Sequence, residues 1–333
     1  MLDKYLKNRF YFPTPLTPTF YNLSAHLQAN GWTASRFRKF ADFSDKNLAF
    51  NEDAALSLEY KHLLAQLISR YCPEVMPRTY CINDQNWPAV LSKVACEFYA
   101  PGGCGEPVWI LKPSLLNNGQ QIKIFTTLSA LEAHFSSFNR LGGEHVLQQY
   151  IKNPHLLRDS RKYSIRHFVV LTNYAGAFLY PQGYFNVALQ PFNATDFTDL
   201  KSHLTNEHLF GNEPNVIQIP TKKFEFYREF YPQIKSILTN VISGLLQSHP
   251  HAFVTDSKRD FALFGMDFMI DSTGRPWLLE ANHGPCFPMD DHHPLQAYLY
   301  KDFWQNIISN FVYPIASKSA APSIDESVFE ALI

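Results

Sequence analysis

Apolar positions recur along the chain in two rhythms, one near 3.6 residues and one near 2, and the changes between them mark the elements. From Glu52 onward, Leu56, Leu63, Leu64, Leu67 and Ile68 fall on one face of a helix that should end near Cys72 and Pro73. A second helix is predicted from Trp87 to Phe98, with Pro88 in its first turn, where a missing N–H does no harm. The stretch Tyr99 to Pro107 then reads as a loop. Two short apolar runs, Val108 to Leu111 and Ile122 to Phe125, surround a polar turn with Gly119 and predict a β-hairpin. Leu131 and Phe135, four apart, make 128 to 138 helical, while Val146 to Ile151 and Lys162 to Leu171 have strand character.

Further on, Gly176 to Tyr180 and Tyr184 to Leu189 read as two separate short strands. Phe224 to Leu246 follows as a long helix interrupted by Pro232. Phe261 to Ile270 and Pro276 to Ala281 flank a turn with Gly274 and should pair antiparallel. His293 to Val312 is the last helix pattern, followed by a Ser/Ala/Pro linker and a short acidic-apolar tail. The fold class is α+β.

Composition narrows the setting. The chain has 333 residues, 46 % apolar and 18 % charged, which is enough to build a sizeable core and excludes wholesale disorder. A net charge of −1 supplies no global field for nucleic acid or an anionic membrane, so neither is expected as a partner. Five cysteines without a C-x-x-C pair fit reduced thiols. The N-terminus lacks the apolar core of a signal peptide, and no run of 18 apolar residues occurs, so a cytoplasmic location is expected.

Candidate chemistry gathers late in the chain. Asp267 and Glu280 lie 13 apart across the predicted hairpin, and Asn282 shares the strand face of Glu280. Three hard oxygen donors suit Mg²⁺, with phosphates and water completing its shell; an ion pair or turn contact is the plainer reading of either acid alone. Lys112 precedes the Gly119 turn, and Lys162 and Arg166 share one face of a strand whose other face carries His167. Asp290 to His293 reads as a capping turn, because four consecutive residues cannot all face one ion. Arg36, Arg38 and Lys39 form a small basic patch, and Cys286 has no activating base beside it.

In this order these segments resemble the tubulin–tyrosine ligase family of the ATP-grasp superfamily, from MPRTYCIN at 76 to NHGPCF ending at 287. GMDFMID with PWLLEAN carries the resemblance most specifically, supported by RKYSIR, VLQQYI, HLTN and WILKP. The resemblance implies an ATP-grasp fold with antiparallel sheets, a small N-terminal α/β domain over 1–75, a catalytic core over 76–315 and a flexible tail over 316–333. It implies ATP and Mg²⁺ as cofactors. Lys112 and Lys162 would contact phosphates, and Gln148, Gln149, Tyr150 and Ile151 would line the adenine pocket. Thr205 and Asn206 would lie near the γ-phosphate, Arg166 would face the acyl-phosphate site, and Asp267, Glu280 and Asn282 would hold the metal. The partners would be a free amino acid and a protein or peptide carboxylate, joined as an amide.

The chain departs from the family pattern in four places. Asn118 stands for a basic residue and Gln121 for a glycine in the loop after Lys112; Ser164 stands for an aspartate and Asn186 for an arginine. A Cβ at 121 can obstruct close approach to phosphates, and two lost cations weaken charge neutralisation. Tubulin as substrate therefore does not follow. Alternatives to the protein-directed ligase are a nucleotide-binding scaffold with an eroded site and a peptide ligase for small molecules.

Overall fold

The computed structural model describes residues 8–98, 108–207, 209, 213–255, 258–290, 292–318 and 324–333. The loop expected over 99–107 lies outside them, as does most of the linker. Near the N-terminus β1 (Arg9–Tyr11) lies between β2 (Thr33–Ala34) and β3 (Phe43–Ser44) in a small parallel sheet. Helix α1 (Pro18–Ala29) links β1 to β2; Pro18 opens it and the Thr17 hydroxyl accepts from the Phe20 N–H.

The single helix expected from Glu52 to Cys72 is two, α2 (Glu52–Glu59) and α3 (Lys61–Tyr71). Tyr60, in extended backbone, is the C-cap of one and the N-cap of the other. Lys61, at the start of α3, shares the buried face of Leu64 and Ile68 and is only 8 % exposed. Ala54, Leu58, Leu64 and Ile68 then share one core with the central sheet, so packing is continuous across the boundary expected at residue 75.

A four-stranded antiparallel sheet follows, built from β4 (Thr79–Ile82), β5 (Trp109–Pro113), β6 (Lys123–Phe125) and β7 (His145–Gln149) in the order β4-β7-β5-β6. Its two faces differ, as the period of two dictates. Trp109, Leu111 and Leu147 pack against α4 (Trp87–Phe98) and α5 (Leu128–Ser136) through Leu91, Val94, Leu131 and Phe135. Ile110 and Lys112 take the opposite face, towards a cleft.

The larger sheet is antiparallel throughout. Its strands are β8 (Arg161–Thr172), β9 (Gly176–Pro191), β10 (Val216–Pro220), β11 (Phe261–Ile270) and β12 (Pro276–His283), ordered β10-β9-β8-β11-β12. The two short strands expected over 176–189 are the single strand β9. A bulge carries it past Pro181: Arg166 pairs Tyr184 and Phe168 pairs Tyr180, leaving three residues of β9 opposite one of β8. One face packs against α7 (Tyr227–Ser248) through Tyr163, Ile165, Ile234 and Leu238. On the other face Phe168 and Val170 meet the final helical segment, while Lys162, Ser164 and Arg166 line the cleft.

Short helix α6 (Leu200–His203) precedes β10. The last helix pattern resolves into α8 (Lys301–Ile307) and α9 (Tyr313–Ala316), with π-helical turns over Gln296–Tyr300 and Ile308–Val312. The expectation of a flexible tail is corrected at its far end. Phe329 is fully buried, and β13 (Glu330–Ala331) pairs with β9, because an aromatic side chain and an open strand edge give the segment somewhere to dock.

Candidate active site

The two sheets face one cleft, and all twelve residues picked out from the sequence line it. From the four-stranded sheet come Lys112, Gln148 and Gln149, followed by Tyr150 and Ile151; from the larger sheet come Lys162, Arg166, Asp267, Glu280 and Asn282. Thr205 and Asn206 enter from the segment after α6. Ser164, Asn186 and Asn118, three of the departures from the family pattern, line it too.

At one end stand two buried ammonium groups. Lys112 is 7 % exposed and donates to Gln148 Oε1 at 2.8 Å. Gln148 in turn donates from Nε2 to Thr79 Oγ1 at 2.9 Å, and Thr79 donates to the Pro77 carbonyl at 2.6 Å, so each donor in this chain is directed by the next acceptor. Lys162 is 2 % exposed and donates to the Tyr150 hydroxyl and the His203 carbonyl, both at 2.8 Å. Among the described residues neither lysine has a carboxylate within ion-pair distance. Burial pushes Lys112 down to about 8 and Lys162 to about 7, the latter also repelled by Lys112.

The other end is built by register. Across the larger sheet Glu280 pairs Asp267, Asp267 pairs Arg166, and Arg166 pairs Tyr184, which sets four ionisable groups side by side. Arg166 holds Asp267 with two prongs, Nε to Oδ1 at 2.5 Å and Nη2 to Oδ2 at 2.6 Å. Gly265 makes room for it: a Cβ there would come within 2.8 Å of Arg166 Cδ. Asn282 donates to Asp267 Oδ2 at 3.1 Å, which turns its amide oxygen to other use. Burial lifts the Asp267 carboxyl above its ordinary value against the pull of Arg166. Burial would raise Glu280 as well, but Lys61, Lys112 and Arg166 together hold it low.

These residues fit Mg²⁺. Two carboxylates and an amide supply hard oxygen donors, too few to cage an ion alone and suited to one that shares its shell with phosphates. Among the described residues no group of three His, Cys, Asp or Glu could hold a metal. Asp290 instead organises a turn, accepting from His292 N at its side chain and from His293 N at its carbonyl. Arg38 of the basic patch is taken up by Asp45. Cys286 lines the cleft as an exposed free thiol.

Lys61 was not found by sequence reasoning. Its ammonium donates to the Leu116 carbonyl at 2.9 Å and lies 3.8 Å from Glu280 Oε2, joining α3 to both the loop after Lys112 and the acidic strand. The signal was a cation on the stripe of Leu64 and Ile68. That loop passes through left-handed backbone at Asn118, Gly119 and Gln121, with φ of 55°, 70° and 57°. Gly119 lies against Asn206, whose Oδ1 a Cβ would approach to 3.3 Å. The glutamine at 121 thus occupies a conformation that glycine adopts more readily.

Paired sheets closing on a cleft of lysines and hairpin acids define an ATP-grasp protein. The chain belongs to the tubulin-tyrosine ligase family, whose model matches residues 58–320. It is 27 % identical over 276 residues to a probable tubulin–tyrosine ligase of Saccharomyces cerevisiae, covering 66 % of this chain and 35 % of that one. It is 28 % identical over 255 residues to a probable tubulin polyglutamylase of Mus musculus, covering 69 % and 44 %. To tubulin glycylase 3B of Tetrahymena thermophila it is 24 % identical over 241 residues, covering 68 % and 20 %. The chain thus spans less than half the length of these relatives. Among the described residues no helix is long and apolar enough to cross a membrane.

Proposed function

We propose that the protein is an ATP- and Mg²⁺-dependent carboxylate–amine ligase that adds an amino acid to a protein or peptide carboxylate. The observation that carries this reading is the pairing, in one cleft, of two buried lysines lacking carboxylate partners with the Asp267–Glu280 pair. Such lysines are built to meet an anion brought from outside.

In the first step a substrate carboxylate oxygen bonds to the γ-phosphorus of ATP, the bond to the β–γ bridging oxygen breaks, and ADP leaves. The amine nitrogen then attacks the acyl carbon, phosphate departs, and the surplus proton passes to phosphate or solvent. No protein nucleophile is consumed. Lys112 and Lys162 hold phosphate oxygens as charge spreads over them. The 148–151 segment offers backbone edges and the Tyr150 and Ile151 side chains to adenine. Thr205 and Asn206 place hydrogen-bonding groups by the γ-phosphate, and Arg166 faces the acyl phosphate. Asp267, Glu280 and Asn282 hold Mg²⁺, which when bound neutralises phosphate charge.

The relatives' names include a tyrosine ligase, a polyglutamylase and a glycylase, which supports a protein acceptor while leaving the amino acid open. A cytoplasmic setting with reduced thiols suits an ATP-consuming enzyme. The persistence of the three metal ligands and of both lysines favours a catalyst over an eroded scaffold. Incubation with ATP, Mg²⁺, an amino-acid mixture and candidate acceptor proteins should release ADP only when amine and acceptor are both present. Mass spectrometry of the acceptor should show one defined increment. ADP release independent of acceptor, or no nucleotide binding at all, overturns the reading.

A further inference from the structure

Behind Lys162 the hydrogen bonds run in a fixed direction. His203, 1 % exposed, places Nε2 2.7 Å from the Asp196 carbonyl and Nδ1 2.8 Å from the Tyr150 hydroxyl. A carbonyl can only accept, so Nε2 carries the proton, and in the neutral imidazole Nδ1 must then accept. Burial and the Lys162 ammonium both keep this imidazole neutral, against the pull of the Asp196 carbonyl. Tyr150 therefore spends its O–H on His203, and its oxygen is left to accept from Lys162. The His203 carbonyl takes a second Lys162 N–H. One N–H of the ammonium remains for the cleft that Lys162 lines.

Aromatic rings enclose this chain. His203 is stacked on Phe197 with centroids 4.9 Å apart, and Phe192 meets it edge-on at 5.4 Å. Lys162 Nζ lies 4.5 Å from the centre of the Tyr150 ring and 5.6 Å from that of Phe192. The titratable and charged groups facing the chain are Lys112 from β5, Tyr150 after β7, and Asp196 and Asp199 beside His203. The acids act on His203 and not on the amine.

We propose that His203 is a positioning residue for nucleotide binding, acting through Tyr150 and its own carbonyl to aim the Lys162 amine at a phosphate. The proposal rests on the nucleotide reading above and adds to it a buried residue that acts through Lys162. With Tyr150 free to donate elsewhere, the amine would lose an oriented acceptor and with it part of the stabilisation of its charged form.

The test is calorimetric titration of the full chain with ATP and Mg²⁺ at several values between pH 6 and pH 9. It uses wild type, His203→Ala, His203→Asn, Tyr150→Phe and the double variant His203→Ala/Tyr150→Phe. We expect His203→Ala and Tyr150→Phe each to weaken binding about tenfold. The double variant should be no weaker than the worse single one, and His203→Asn should restore most of the loss, since its amide oxygen can stand near Nδ1. The pH at which affinity declines should move down in both single variants. Tyr150→Phe keeps the ring, and so tests the link even if His203→Ala does not fold. Unchanged affinity in the single variants, additive losses, or no recovery in His203→Asn overturns the relay while leaving the nucleotide site standing. A wild type that takes up no ATP overturns both.

Discussion

At one end of the cleft Lys112 and Lys162 lean only on neutral oxygens; at the other, Arg166 is already gripped by the carboxylate of Asp267. The lysines are buried and Arg166 largely so, and burial disfavours the charge of all three, yet the net outcomes are opposite. Without an acid in contact, desolvation outweighs the distant pull of Glu280 and Asp267 on Lys112 and draws the lysines down to about 8 and about 7, so they gain most when an anion arrives. The guanidinium, with an acid in two-pronged contact, is driven above its ordinary value and has little left to gain. A lysine with neutral partners is a waiting site, whereas a paired arginine is part of the framework until something else claims its carboxylate.

Removing an acid should have the largest effect. Glu280→Gln is expected to lower ligase turnover about a thousandfold, read as ADP release, by taking a hard donor from the metal set. Next comes removal of a waiting cation. Lys162→Met should weaken ATP binding by about ten- to a hundredfold in calorimetry while raising the thermal midpoint of the unliganded protein. A loss of stability in that variant would show that the lysine is framework after all.

The third prediction concerns pH. Both lysines must be protonated to meet phosphate, so affinity for ATP should fall about tenfold between pH 7 and pH 8. Stability of the unliganded fold should move the other way. The unfolded chain, with ordinary lysines, binds more protons than the folded one between about pH 7 and 10.5, so these two groups make the fold more stable as pH rises through that window. Thermal melts across the range, with Lys162→Met as control, should show the slope shrink. The smallest effect belongs to the loop between the two ends. Gln121→Gly should relieve a left-handed glutamine, costing roughly 1 kcal/mol, and improve ATP affinity a few-fold.

Sequence legibility followed the range of the interactions. The β11–β12 hairpin was readable from its short turn, but the bulge at Leu279 that brings Glu280 opposite Asp267 was not. The common face of Lys162 and Arg166 followed from strand period alone. The unity of β9 was not readable, since Pro181 and Gly183 look like a break until the bulge against β8 absorbs them. Lys61 was missed because its partners, Leu116 and Glu280, lie 55 and more positions along the chain. His203 stood inside the HLTN motif, but its role depends on Tyr150, 53 positions earlier.

By itself, then, the amino-acid order determined the helices, most strands, the acidic hairpin and the residue types that chemistry on a nucleotide requires. Those properties come from backbone preferences and side-chain periods acting over a few residues. Only the tertiary structure decided which cation would be paired and which left waiting. Arg166 meets Asp267 across 101 positions because antiparallel register sets them opposite, while among the described residues the lysines have no acid within ion-pair distance. Charge pairing in a protein interior is settled by what the folded neighbours bring within about 4 Å, a distance that sequence spacing does not encode.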